Sequence, residues 1–142
     1  MSDRVPGWLR AAWSRLRGAP ADGEAPPFIR LGAERDEIRF LGEPGGDALG
    51  ILKGALAGVL DEEGNTRNAY LSRVQYAGED EVRVALVIDG RAPAARMAPP
   101  IARACQPLVA IDLFFFDGMP AELARQVERT LTPFYVEGRA VG

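Results

Sequence analysis

Asp89, Asp112 and Asp117 are the side chains of this chain best suited to chemistry. Two carboxylates facing one cleft can divide acid and base work or hold a metal ion, and a cleft with any two of these three would suit a carboxylate-dependent hydrolase. Asp112 stands out because it interrupts the apolar run at 108–116 (LVAIDLFFF). Its plainer reading is a strand-end carboxylate bonded to backbone or to an arginine. Tyr70, Arg73 and Asp112 suggest a second chemistry, a pocket between sheet and helices that senses an amino acid or another metabolite. Cys105 is the only thiol. With no histidine to activate it, it reads as a small buried hydrophobe.

The residue types that are missing exclude more than these suggest. Among 142 residues there is no histidine, one cysteine and one lysine (Lys53), against sixteen arginines. That removes Ser-His and Cys-His nucleophile pairs, nearly all catalytic zinc sites, disulfide frameworks and CxxC redox pairs. Lys53 has no Gly-rich Walker pattern around it, so an NTP cradle of that type is excluded. The run GEPGGD at 42–47 has the place of a phosphate nest, but Asp47 would repel phosphate, and it reads as a turn. The acidic clusters at 61–63 and 79–81 lack EF-hand spacing and read as solvated loop charge. No cofactor is expected.

Residues 6–17 read as an amphipathic helix that Pro6 can open. Val5, Trp8, Leu9, Ala12, Trp13 and Leu16 share one arc, and Arg4, Arg10, Arg15 and Arg17 lie opposite. Gly18 stops it and APADGEAPP at 19–27 is a linker, so the chain divides into an appended segment, 1–27, and one domain, 28–142. The helix has three readings: docking on its own domain, binding a partner or dimerising, and peripheral membrane contact by residues 5–17. No run is long and apolar enough for a membrane span, and arginines interrupt any secretory pattern, so the expected setting is the cytoplasm.

In the domain, Ile29 and Leu31 suit a short strand, and 37–42 (EIRFLG) a better one. Asp47 would cap a helix to about Leu60 with the stripe Leu49, Leu52, Leu56, Val59 and Leu60. Gly54 and Gly58 inside it suggest close packing on a sheet. Residues 68–76 and 81–89 form a hairpin. A helix is expected to start at Pro99-Pro100 and run through Cys105, followed by the strand at 108–116. A last helix follows Pro120, with Leu123, Val127 and Leu131 buried, before the tail PFYVEGRAVG.

The order predicts an α+β domain, a ferredoxin-like split βαββαβ sandwich with both crossover helices on one sheet face and an extra C-terminal helix. The last strand is apolar on both faces, so the second face needs a cover: the C-terminal helix, the N-terminal helix or another subunit. Tyr70, Tyr76, Phe114 and Phe116 have the look of RNA-stacking aromatics. From residue 36 onward, however, 16 acidic residues outnumber 11 basic ones, which favours sheet packing and argues against nucleic acid.

Residues 40–135, about two-thirds of the chain, resemble the C-terminal domain of the bacterial enhanced serine sensitivity protein family (SseB). The likeness rests on Leu41-Gly42-Glu43-Pro44, on Leu52, Ala55-Leu56 and Leu60, and on Asn68-Ala69-Tyr70-Leu71. It continues through residues 84–90, Ile111-Asp112-Leu113 and Pro133-Phe134-Tyr135. The resemblance implies a small cytosolic α+β module that is not an established enzyme and has no catalytic residues to carry over. The family's usual form has a preceding domain where this chain has the Trp- and Arg-bearing helix. In that setting Pro133 would end the last helix and lay Phe134 and Tyr135 on the sheet as an aromatic lid.

The expected function is a non-catalytic interaction or regulatory module, homo-oligomeric or bound to a protein partner. Its contact surface would draw on Trp8, Trp13, Phe114, Phe116, Phe134 and Tyr135.

Overall fold

In the computed structural model of the chain the described residues are 29–30, 37–46, 48–105, 111–136 and 139–140. The expected N-terminal helix and linker, with Trp8 and Trp13, lie outside them, as do Leu31, Asp47 and residues 108–110.

The stripe Leu52, Leu56 and Leu60 builds helix α1 (Leu49–Glu63), and all three leucines are buried. Gly64 ends it at φ 71°, its N–H returning to Leu60 O at 3.0 Å, a helix stop that suits a residue without Cβ. Gly54 and Gly58 do not pack on the sheet. Both are exposed, and a Cβ added at either would meet nothing within 4 Å. They sit on the side of α1 opposite the leucines, where helical periodicity turns them outward.

The hairpin forms from β3 (Thr66–Tyr76) and β4 (Arg83–Gly90), in register from Asn68↔Asp89 to Val74↔Arg83, with a shift between Asn68 and the last pair, Thr66↔Gly90. Helix α2 (Ala94–Cys105) begins five residues before Pro99 and so contains both prolines, against expectation. Each interior proline deletes a backbone bond, here to the carbonyls of Ala95 and Arg96. Both of those residues are exposed, so water can satisfy them. The spacing Met97, Ile101, Cys105 buries one face of the helix and offsets the loss. Strand β5 (Ile111–Phe115) then pairs parallel to β4, from Val84↔Ile111 to Ile88↔Phe115.

The result is an α+β fold around one mixed sheet. Beginning at β1 (Ile29–Arg30) and β2 (Glu37–Gly42), its path is β1-β2-β3-β4-β5, strictly in chain order. This departs from the ferredoxin-like split. In a split βαβ, the two strands joined by a helix run parallel with another strand between them. Here β2 and β3, joined by α1, are antiparallel neighbours. Local periodicity specifies each strand but not which partner it takes.

The prediction that α1 and α2 share a sheet face holds: Leu52, Leu56 and Met97 enter one core with Leu71, Val84 and Leu86. On the other face helix α3 (Ala121–Thr130) sets Leu123 and Val127 against Ile38, Phe40, Val74 and Val87. The C-terminal helix is therefore one cover of the second face. Gln126 ties it down by accepting the Phe40 N–H at 3.2 Å.

The tail is woven into the sheet and does not lie over it as a lid. Strand β6 (Tyr135–Val136) pairs with β3 at Asn68 and Ala69, and β7 (Arg139–Ala140) pairs with β6. Phe134 N–H donates to Ala69 O at 2.9 Å, and Phe134 and Tyr135 are both 2% exposed within the α1–α2 core. The Tyr135 hydroxyl donates to Asp61 Oδ1 on α1 at 2.7 Å. Burial, then that hydrogen bond, pushes the phenol up to about 12.

Candidate functional site

Alternation along β3, β4 and β5 sorts the chemically capable side chains by face, and position along the strands sorts them by end. Asp112, the second residue of β5, lies level with Ala85 on the α3 side of the sheet. The Tyr76 hydroxyl, from the end of β3, crosses β4 to donate to Asp112 Oδ2 at 2.7 Å. Arg83 lies between them, with Nη1 3.9 Å from Asp112 Oδ1 and its guanidinium carbon 5.8 Å from the centre of the Tyr76 ring. Burial, and then the bond to Asp112, raises the Tyr76 phenol well above its ordinary range. Asp112 is thus a partnered strand-end carboxylate, in keeping with its plainer reading.

The other end of the same strands is open. Beyond the C-terminal ends of the parallel pair β4–β5, a cleft of about 720 Å³ is lined by Asp89, Arg91, Pro93, Phe115, Phe116 and Asp117. A smaller recess of about 340 Å³ shares Asp89, Gly90 and Arg91 with it and adds Asn65, Thr66 and Arg67. Ligands of α/β sheets gather in this position, where strands stop and a following helix begins. The local backbone is tightly built. Asn65 takes a left-handed φ of 65°, Arg91 N–H donates to Asn65 O at 2.9 Å, and a Cβ on Gly90 would fall 2.4 Å from that same oxygen. No hydrogen bond or ion pair ties Arg67, Asp89, Arg91 or Asp117 to another described side chain. The Thr66 Oγ1, in a residue 8% exposed, is buried without a hydrogen-bond partner.

Of the three candidate carboxylates, then, Asp89 and Asp117 meet at one cleft and Asp112 lies at the far end of β5. Among the described residues no group of three acidic, histidine or cysteine side chains is gathered to hold a metal. Tyr70, Arg73 and Asp112 do not form one pocket. Arg73 is odd-numbered on a strand whose even residues share the α3 face, so it points to the other side and donates to Leu41 O at 3.3 Å. Tyr70 instead stacks on Phe116, the rings 5.9 Å apart and 3° from parallel. Its phenol is raised by burial and by the nearby charges of Glu128 and Asp89.

Phe134 and Tyr135 are core residues and leave the proposed contact surface, because β6 pairing buries them. Phe114 and Phe116 are half-buried, Phe114 meeting Phe40 edge-on at 6.0 Å. Cys105 is buried, and that burial lifts its thiol to about 11, far from thiolate character at neutral pH. Thr66, Arg67 and Arg91 are not among the candidates that the sequence names, and Gly90 enters there only within the SseB-like run at 84–90. Their signal is the run Asp89-Gly90-Arg91-Ala92-Pro93, a strand end passing directly into a helix start.

No protein-family model, curated protein or solved structure matches the chain. No helix among the described residues is long and apolar enough to cross a membrane.

Proposed function

We propose that this chain is a non-catalytic, cytoplasmic interaction module that associates with a second copy of itself through the outer edge of β5. The observation that carries the reading is the state of that edge. Among the described residues no strand pairs with it, and all five of its residues are half-buried. Exposed edge strands are normally blunted by proline, lysine or a bulge. The sequence IDLFF has neither proline nor lysine, and its one charge, Asp112, is engaged by Tyr76. Phe116 N–H donates to Ile88 O at 2.9 Å, so by ladder alternation the N–H groups of Leu113 and Phe115 point away from β4. A strand with free outward N–H groups can pair with its own copy across a two-fold axis. The resemblance of residues 40–135 to the SseB C-terminal domain supports the same reading, since it implies a module without established catalysis. The segment at 6–17, whose sequence pattern is that of an amphipathic helix with Trp8 and Trp13, would be a second contact element.

Light scattering of the full chain tests this reading. A dimer is expected, with Leu113→Pro monomeric and Leu113→Ala still dimeric, because both substitutions lose the leucine packing and only proline loses the outward N–H. A monomeric wild-type chain at its highest soluble concentration overturns the proposal. The cleft beyond β4 and β5 favours a second reading, small-molecule binding.

A further inference from the structure

We infer that the cleft beyond the C-terminal ends of β4 and β5 is a binding site for a small zwitterion, an α-amino acid with an apolar side chain. The cleft shares Phe115 with the β5 edge, but its charged residues Asp89, Arg91 and Asp117 lie off that strand, so charge-removing variants test it apart from self-association.

The chemistry of the lining selects the ligand class. Asp89 and Asp117 would repel a bare anion. Arg91, and Arg67 in the adjoining recess, would repel a bare cation. A molecule carrying one charge of each sign meets both pairs favourably, its ammonium toward the carboxylates and its carboxylate toward the guanidiniums. The N-terminus of α2 adds to the anion side. Arg96 and Met97 both donate to Pro93 O, at 3.0 and 3.1 Å, and the first turn holds no acidic residue to occupy the free end. Thr66 supplies an independent sign of a missing partner. Its residue is more than nine-tenths buried, it lines the recess, and its hydroxyl has no hydrogen-bond partner among the described residues. A hydroxyl in that state costs stability unless another group completes it. The half-buried rings of Phe115 and Phe116, with Pro93, give an apolar wall for the ligand's side chain. A cleft of about 720 Å³ lies in the range of small-molecule sites.

Isothermal titration calorimetry on the full-length chain with L-leucine, 3-methylbutylamine and 4-methylpentanoate separates the terms. Leucine is expected to bind, and each analogue, lacking one charge, to bind at least tenfold more weakly. Arg91→Gln and Asp89→Asn should each weaken leucine at least tenfold while melting at the wild-type temperature without ligand. If the amine or the acid binds as tightly as leucine, the site is a simple ion site and the inference fails. If leucine produces no heat and no thermal shift, or if both variants bind it like wild type, it fails outright. A monomeric chain that still binds leucine would refute self-association and leave this site standing.

Discussion

At one end of the β4–β5 pair, Asp112 accepts a 2.7 Å hydrogen bond from Tyr76 and sits 3.9 Å from Arg83; at the other, Asp89, Arg91 and Asp117 line an open cleft. Both ends combine carboxylates with arginine, and the strands that carry them are the same. The difference lies in what each charge meets. Asp112 projects from within the ladder beside aromatic rings, 26% exposed, where an unpartnered carboxylate would be costly. Asp117 and Arg91 follow the last paired residues of their strands, where solvent supplies the missing partners until a ligand does. Asp89, the next-to-last residue of β4, still lies in the ladder but opens onto the cleft, so what separates the two ends is the presence or absence of a described partner for the charge.

Gly90→Ala should be the costliest test of this contrast. At the open end the fold is held by backbone, and the added Cβ would lie 2.4 Å from Asn65 O and 2.9 Å from Thr66 Cα. Neither atom is on a flexible side chain, so the start of β3 must move, at about 1–3 kcal/mol. Urea unfolding measures it. A loss under about 0.5 kcal/mol would mean that the β3–β4 crossing yields easily and the cleft is not preorganised.

Tyr76→Phe probes the closed end and should cost about 1–2 kcal/mol, because a partly buried carboxylate loses its nearest donor. The pH dependence has a definite sign. The folded phenol holds its proton above the ordinary value of 10, so its contribution is whole below pH 10 and declines as pH rises further. The phenylalanine variant should therefore unfold with a shallower alkaline dependence than wild type. Equal alkaline slopes would show that the contact with Asp112 is not what stabilises this end.

Local features were legible in the sequence, and long-range ones were not. Helix α1, the hairpin, β5 and α3 follow from apolar spacing and turn residues that act within a dozen positions. The neighbour of β2 was not readable, since antiparallel pairing with β3 and a split arrangement demand the same pattern within each strand. Proline hid the first turn of α2, where exposed carbonyls at Ala95 and Arg96 tolerate the missing N–H groups. The candidate site was half visible. The sequence points to Asp89 and Asp117 but sets Asp112 beside them, although Asp112 is near the start of β5 and Asp117 follows its end, and it sets Arg73 beside Tyr70 across an odd separation. Strand alternation, applied to those numbers, already places Arg73 on the opposite face.

Glycines repeat the contrast between ends on a smaller scale. Gly54 and Gly58 face solvent on α1 with nothing within 4 Å of an added Cβ, whereas Gly90 has no room at all. Gly54→Ala and Gly58→Ala should each raise stability by up to about 1 kcal/mol, the helix-propensity difference. A loss at either position, measured by thermal unfolding, would mean that some other segment or copy packs on that side of α1.

The smallest expected effect is the most discriminating. Asp89→Asn and Asp117→Asn should change folding stability by less than about 0.5 kcal/mol, because neither carboxylate is bonded to a described side chain. Asp112→Asn, the same chemical change in the same strand system, should cost more, since its carboxylate accepts from Tyr76 and faces Arg83. If all three substitutions cost the same, the two ends are alike, and the charges at the cleft serve the fold. If only Asp112 matters for stability, Asp89 and Asp117 sustain a cluster that folding does not need. Carboxylates that a fold does not use, beside arginines that no described side chain pairs, are what a site for a dipolar ligand requires.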